Sequence, residues 1–252
     1  ISSPLLIVVL AARRRVLSRK VFIATALPGL SFGINLVFVF ATLQEATVSV
    51  LSTVVAMQPA LLLVLAGPLF HEYPTGRQFT FTLAGVLGAV GVILGAGSEI
   101  RSSWLGVGLA ALSLVTFTLY FVLTRLARSD NEVDPIEWMA GINIWAFLST
   151  IIPILLLADR SDWAQFGGND WIWIVIVAFV TGVFGHVLMT WLHGHLEAAR
   201  SSLYILTMHL VAVGLAWWIH DESITWLQMI SGGVVLLCVA LVVTAPDRRE
   251  VR

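Results

Sequence analysis

The sequence predicts an all-α fold, a polytopic bundle of membrane-spanning helices. Three observations predict it. Hydrophobic residues make up 58% of the 252 and charged residues only 12%, the mean hydropathy is +0.93, and apolar runs of about 20 residues recur along the chain, the length a helix needs to cross a hydrocarbon layer about 30 Å thick. That layer offers no water to peptide groups, so a spanning segment must be a helix or part of a closed barrel. The runs lack the period-2 alternation of a barrel strand.

Eight full spans follow in order: 21–41, 47–70, 78–97, 104–126, 136–157, 171–193, 199–219 and 226–245. The first begins after the basic cluster Arg13, Arg14, Arg15, Arg19 and Lys20. The second carries Pro59 near its middle and ends at Glu72. The third follows Arg77 and contains Gly85, Gly88, Gly91 and Gly95, with a Gly-x-x-x-Gly step that lets another helix approach closely. The fourth runs from Trp104 to Leu126, and the fifth holds Asn143. The sixth starts at Trp171 and contains His186. The seventh has His209 at its midpoint, and the eighth opens at Trp226 and contains Cys238, the single cysteine, which excludes an intramolecular disulfide framework. Pro4 to Ala12 is too short to cross and reads as the end of a helix whose beginning is missing.

Charge fixes an orientation. With the cluster 13–20 placed in the cytoplasm, its five basic residues join Arg77, Arg125, Arg128, Arg200, Arg248, Arg249 and Arg252 on that side, and only Arg101 and Arg160 fall outside. Loops this short are where the positive-inside rule applies. Trp104, Trp163, Trp171, Trp173, Trp217, Trp218 and Trp226 all then lie at or near outer helix ends, where amphipathic rings suit the headgroup boundary. The expected location is the cytoplasmic membrane, with both termini cytoplasmic.

The chain also resembles itself. Residues 59–94 match residues 209–243, with Glu72 set on Glu222, an offset of 150 residues. In each copy an apolar helix ends at an acid, a short turn follows, and a glycine-containing apolar helix comes next. Five spans separate the copies, and an odd number reverses direction across the membrane. The halves therefore read as an inverted-topology repeat, an architecture of secondary transporters. The first repeat covers 1–98, the second 104–245, and 246–252 is a cytoplasmic tail. The offset places the start of the first repeat roughly 46 residues before Ile1, so the expected arrangement is five plus five helices with the first helix missing.

The pattern of a span ending Ala41-Thr42-Leu43, Pro59 within the next helix, Glu72, then Gly85 and Gly91 resembles the EamA-type permeases of the drug/metabolite transporter superfamily. Glu197-Ala198-Ala199, Glu222 and Gly232-Gly233 resemble the same unit in the second half, and Tyr120 to Arg125 looks like the end of that family's sixth helix. His209 departs from the family pattern, which usually has Pro there. The resemblance implies a transporter of amino acids, metabolites or drug-like compounds, working by alternating access. Uptake and efflux are the same cycle run in opposite directions.

None of the eight spans holds an Asp, Glu, Lys or Arg near its centre, so the few deep polar groups are the informative ones. His209 is at mid-depth and can titrate near neutral pH. The repeat pairs it with Pro59, whose neighbour Gln58 is also mid-span. Substrate sites of inverted-repeat transporters lie near the midplane, so Gln58 is expected to line the pathway as hydrogen-bond donor and acceptor, and His209 as a polar contact or proton-coupling group. Asn35, His186 and Asn143 are further pathway candidates, each also able to serve as interhelical glue. Pro59 has no backbone N–H, which frees the carbonyl of Val55, and is expected to kink its helix as a hinge. The glycine run 85–95 is read as helix packing, within the bundle or at a homodimer contact.

Two other function classes compete. An intramembrane enzyme could use His186, His193, His195 and Glu197, but His193 and His195 project about 200° apart on a helix and no HExxH motif exists, so no metal site or other cofactor is expected. A non-transporting scaffold would call for longer loops than the dozen or so residues present. The sequence has no GxxxxGK[ST] loop and nothing that suggests nucleic-acid binding. The expected partners are a small-molecule substrate, membrane lipid and a coupling proton.

Overall fold

The computed structural model describes residues 2–71, 74–95, 103–128, 133–157, 170–196 and 224–243, with isolated positions 167, 168, 204, 206, 207, 210, 211, 214, 217 and 218. For Ser49, Thr181 and His193 only the backbone is described. Most of the expected span 199–219 lies outside the described residues, as do His209, Glu72, Glu197, Glu222 and the tail 246–252.

All described elements are helices: α1 (Ser2–Ala12), α2 (Arg19–Ala24), α3 (Ala26–Glu45), α4 (Val48–Val55), α5 (Gln58–Phe70), α6 (Gly76–Gly95), α7 (Trp104–Ala127), α8 (Pro135–Leu157), α9 (Asp170–Val177), a π-helical segment (Ala178–Gly185), α10 (His186–His195) and α11 (Trp226–Val243). Among the described residues six stretches are long and apolar enough to cross a membrane: Ala26–Glu45, Val50–Phe70, Gly76–Gly95, Trp104–Ala127, Pro135–Leu156 and Asp170–Leu192. Two apolar helices are shorter, Ser2–Ala12 and Trp226–Val242. The chain is thus a membrane protein with several apolar helices.

Prolines account for two interruptions. The expected span 21–41 is divided at Thr25, between α2 and α3. Pro28 has no N–H for the Ala24 carbonyl, and Thr25 Oγ1 donates to the carbonyls of Val21 at 2.9 Å and Phe22 at 3.0 Å. In the next span α4 ends at Val55 and α5 begins at Gln58, with Pro59 in its first turn. At that break the Met57 N–H bonds back only three residues, to Val54 O at 3.1 Å.

By contact the chain divides into two compact units, residues 1–40 with 115–195 and residues 41–114 with 196–252, so each unit draws on both halves of the sequence. The first unit is centred on Leu6, Leu10, Phe32, Tyr120, Trp138, Met139 and Ile142, all buried. Asp134 caps α8 by accepting from the N–H groups of Ile136 (2.9 Å) and Glu137 (3.3 Å), and Pro135 follows at the position where a missing N–H costs nothing. The basic cluster is tied to this same helix start. Arg15 pairs with Asp134 at 3.0 Å, and the Ser18 N–H donates to Glu137 Oε1 at 2.9 Å.

Helix α3 lies almost backbone to backbone on α8. A Cβ at Gly33 would stand 2.6 Å from Ala146 O and 2.8 Å from its Cα, and one at Gly29 2.6 Å from Trp145 Cβ. Ser2 Oγ donates to Ala178 O at 3.1 Å, fastening α1 to the π-segment.

In the second unit α6 packs along α11 in antiparallel fashion, and Ala56, Val86, Ala89, Ile93, Leu206, Val235, Val239 and Val242 form the buried core. The glycine run faces this contact. Cβ atoms built at Gly88 and Gly85 would stand 3.0 Å from Val235 Cγ2 and 3.5 Å from Cys238 Cβ, and one at Gly95 2.8 Å from Gln228 Cγ. Each helix opens with the same capping box. Gln78 Oε1 accepts from the Thr75 N–H at 2.8 Å while Thr75 Oγ1 accepts from the Gln78 N–H at 3.1 Å. The corresponding distances for Thr225 and Gln228 are 2.9 and 3.2 Å. Thr225 Oγ1 also donates to Gly95 O at 3.0 Å, joining the start of α11 to the end of α6.

Gly33→Ala is expected to force α3 and α8 apart and destabilise the protein by about 1–3 kcal/mol. Gly108→Ala, at a helical position with nothing within 4 Å, should be neutral or stabilise by up to about 1 kcal/mol. Thermal unfolding of the purified protein in detergent measures both; equal midpoints for the two variants would contradict the close approach.

Candidate functional site

Large apolar side chains cover the outside of the spans, with Val64, Leu155, Leu156 and Phe184 all exposed. A water-soluble surface would not carry so many, and lipid accommodates them. Trp104, Trp171, Trp173, Trp217, Trp218 and Trp226 are exposed as well, whereas Trp138 is buried. Against this background the buried polar groups stand out, and each unit holds its own set.

In the first unit they converge on His186, the first residue of α10. Its imidazole meets Phe32 edge-on, with ring centres 4.8 Å apart, and Tyr120 at 6.3 Å; Phe32 and Tyr120 are 4.9 Å apart. Tyr120 Oη lies 3.8 Å from Met139 Sδ, a weak hydrogen bond. The same hydroxyl is within hydrogen-bonding reach of the side chains of Thr124 and Thr190, and Trp138 Nε1 is buried without a hydrogen-bond partner. Tyr120 and Thr124 are four residues apart on α7, His186 and Thr190 four apart on α10, so helical periodicity puts each pair on one face.

One end of this cluster is closed by Arg128, just past the end of α7 and fully buried. Its Nε donates to Thr190 O at 2.9 Å, and its Nη1 donates to Val133 O. Burial pushes the guanidinium below its ordinary range, and the negative charge of Asp134 opposes that; an arginine stays protonated through such a shift.

The other first-unit candidates are placed differently. Asn35 is buried, one turn beyond Phe32 on α3, and already engaged. Asn143 Nδ2 donates one hydrogen bond to Met139 O at 2.8 Å, one turn back on its own helix. His195 stacks on Trp191 with ring centres 4.1 Å apart, and its Nδ1 is 2.8 Å from Trp191 O. It lies about 13 Å along α10 from His186, at 1.5 Å per residue. No group of three His, Cys, Asp or Glu side chains able to hold a metal occurs among the described residues.

In the second unit Gln58 is completely buried, and neither Oε1 nor Nε2 has a hydrogen-bond partner. It begins α5 beside the helix break, where Pro59 has no N–H to offer the Val55 carbonyl. Thr82, buried on α6, also leaves its hydroxyl unpartnered. The sequence reading singled out Gln58 and His186 but passed over Thr82, Thr124, Trp138, Thr190 and Arg128. For Thr124 and Thr190 the signal was present, as four-residue spacing from Tyr120 and His186; for the others only the fold supplies it.

The model of the EamA-like transporter family matches residues 104–244. The chain belongs to this family. Unit-one residues Tyr120, Thr124, His186 and Thr190 all fall inside the matched stretch of this EamA-like chain, whereas Gln58 precedes it. A solved crystal structure of a protein shares the fold, with a TM-score of 0.80 at 15% identity over 96% of this chain and 83% of that one. The protein-methionine-sulfoxide reductase heme-binding subunit MsrQ of Ralstonia nicotianae is 28% identical over 120 residues, 43% of this chain. The chain spans about half the length of that relative, 54%.

Two substitutions probe these sets. Arg128→Lys keeps the charge but cannot bridge two carbonyls with a rigid fork, and should destabilise the protein by about 1–3 kcal/mol. Gln58→Leu removes two unpartnered buried groups at similar volume and should leave stability unchanged or raise it by about 1–3 kcal/mol in the absence of solute. Thermal unfolding in detergent reads both; a clear loss for Gln58→Leu would show that the amide is satisfied.

Proposed function

We propose that this EamA-like protein is a secondary transporter of the cytoplasmic membrane. It moves a small polar or amphipathic solute, such as an amino acid, another metabolite or a drug-like compound, by alternating access. The observation that carries the reading is unused hydrogen-bonding capacity buried within apolar spans, at Gln58 in mid-span and at Thr82. Burying such groups costs free energy unless something bonds them, and a passing solute can. His186 and Gln58 act as polar contacts on the pathway. His209 acts as a further contact or as the proton-coupling group.

Inverted halves supply the two access states, and three features support them. Glu72 and Glu222 stand 150 residues apart, the capping boxes Thr75/Gln78 and Thr225/Gln228 recur at that same offset, and the α6–α11 contact exchanges with itself under it, since Gly88 against Val235 becomes Cys238 against Gly85. The twelve-to-two division of Lys and Arg supports cytoplasmic termini.

The reading is tested in cells with and without the protein, by mass spectrometry of medium and cell extract after loading with amino acids and drug-like compounds. At least one solute class should redistribute several-fold. His186→Phe, which retains the ring packing, and His209→Ala should each cut that redistribution at least tenfold at equal protein abundance. No redistribution of any solute would overturn the transporter reading.

A further inference from the structure

Gln58 carries more information than its place on a pathway. Its side chain presents one donor group and one acceptor group, both buried and both unpartnered. Its neighbours Ala56 and Ala60 belong to an apolar cluster with Val86, Ala89, Leu206, Leu210 and Val235. The middle of its span, like that of every other span, holds no Asp, Glu, Lys or Arg. A charged group brought here would lose its hydration and gain no counter-charge from these neighbours.

The pairing chemistry narrows the ligand further. A carboxylate can accept from Nε2 but sets its own negative oxygen against Oε1. An ammonium can donate to Oε1 but leaves Nε2 without an acceptor. A neutral carboxamide or urea-type group does both at once, with its N–H on Oε1 and its C=O on Nε2. Such a group also carries a second N–H, and the adjacent helix break provides a carbonyl, that of Val55, for which Pro59 has no donor.

We infer that Gln58 forms the recognition point for a neutral group bearing both a hydrogen-bond donor and an acceptor, a carboxamide or urea-type group, carried on an otherwise apolar or amphipathic solute. The inference rests on the transport reading for its biological setting, and names the substrate class for that pathway. The binding itself does not depend on flux.

The test uses three probes of matched length: hexanamide, hexanoate and hexylammonium. Each is titrated against the purified protein in detergent while the thermal midpoint is followed, since a ligand that binds the folded state alone raises it. Hexanamide should raise the midpoint saturably, with a half-saturating concentration at least tenfold below those of the two charged probes. Gln58→Leu should lose that preference, with its hexanamide value rising at least tenfold, and Gln58→Asn should recover part of it. The variant's own midpoint, without probe, should not fall.

Equal response to the three probes, as expected if ordered water satisfies the amide, would overturn the inference. So would an unchanged preference in Gln58→Leu, or a lower midpoint for that variant without probe, because the amide would then be bonded already. The two readings fail separately. Hexanamide selectivity without solute redistribution in cells would leave the site standing and remove the transporter, and redistribution without selectivity would do the reverse.

Discussion

Hydrocarbon cannot accept or donate a hydrogen bond, and most features of this chain answer to that one constraint. Wherever a helix stops or breaks, peptide groups lose their partners and something local has to replace them. Asp134 does so at the start of α8, and the paired threonines and glutamines at α6 and α11. Arg128 is the costliest example, a full charge buried to serve two carbonyls. At Gln58 no such replacement is present for the side-chain amide, and the proposed solute would supply it.

The same constraint changes what holds helices together. Lipid tails are as apolar as leucine, so burying apolar surface between helices gains little, and close van der Waals contact has to supply the attraction. That explains why contacts concentrate where side chains vanish. Gly29 and Gly33 bring α3 onto α8, and the run from Gly85 to Gly95 brings α6 onto α11. Each contact is also pinned by a polar bond across the same helix pair or beside it, Trp145 Nε1 to Phe22 O at 2.8 Å in the first unit and Thr225 Oγ1 to Gly95 O in the second. Packing sets the distance, and the bond sets the register.

Much of this was legible in the sequence because membrane helices announce themselves by length and apolarity. The fold class and most span positions came from residue type and spacing, and the family from a resemblance carried by Pro59, Glu72 and the glycines that follow. Other features were not legible, for identifiable reasons. Pro28 lies near a helix start, where proline is often harmless, so its effect at Thr25 needed the actual backbone. Gly29 and Gly33 have the spacing of any helical pair, and only the facing Ala146 and Trp145 show why they are small. Asn143 donates one hydrogen bond a turn back on its own helix, a choice that composition does not encode. Arg125 and Arg128 were counted among basic residues of the loops, and both are buried.

The π-segment 178–185 ends where His186 begins. In a π-helix each N–H reaches back five residues instead of four, so every turn holds more chain than in an α-helix. Within α geometry one residue turns the helix by about 100°, so eight residues of wider winding leave α10 at an azimuth quite different from the one a continuous α-helix from Asp170 would give it. The imidazole therefore owes its seat between Phe32 and Tyr120 to backbone winding as much as to its own rotamer. Tightening those eight residues to α geometry would swing His186 and Thr190 off that face together, as a single crank, while α9 stayed where it is.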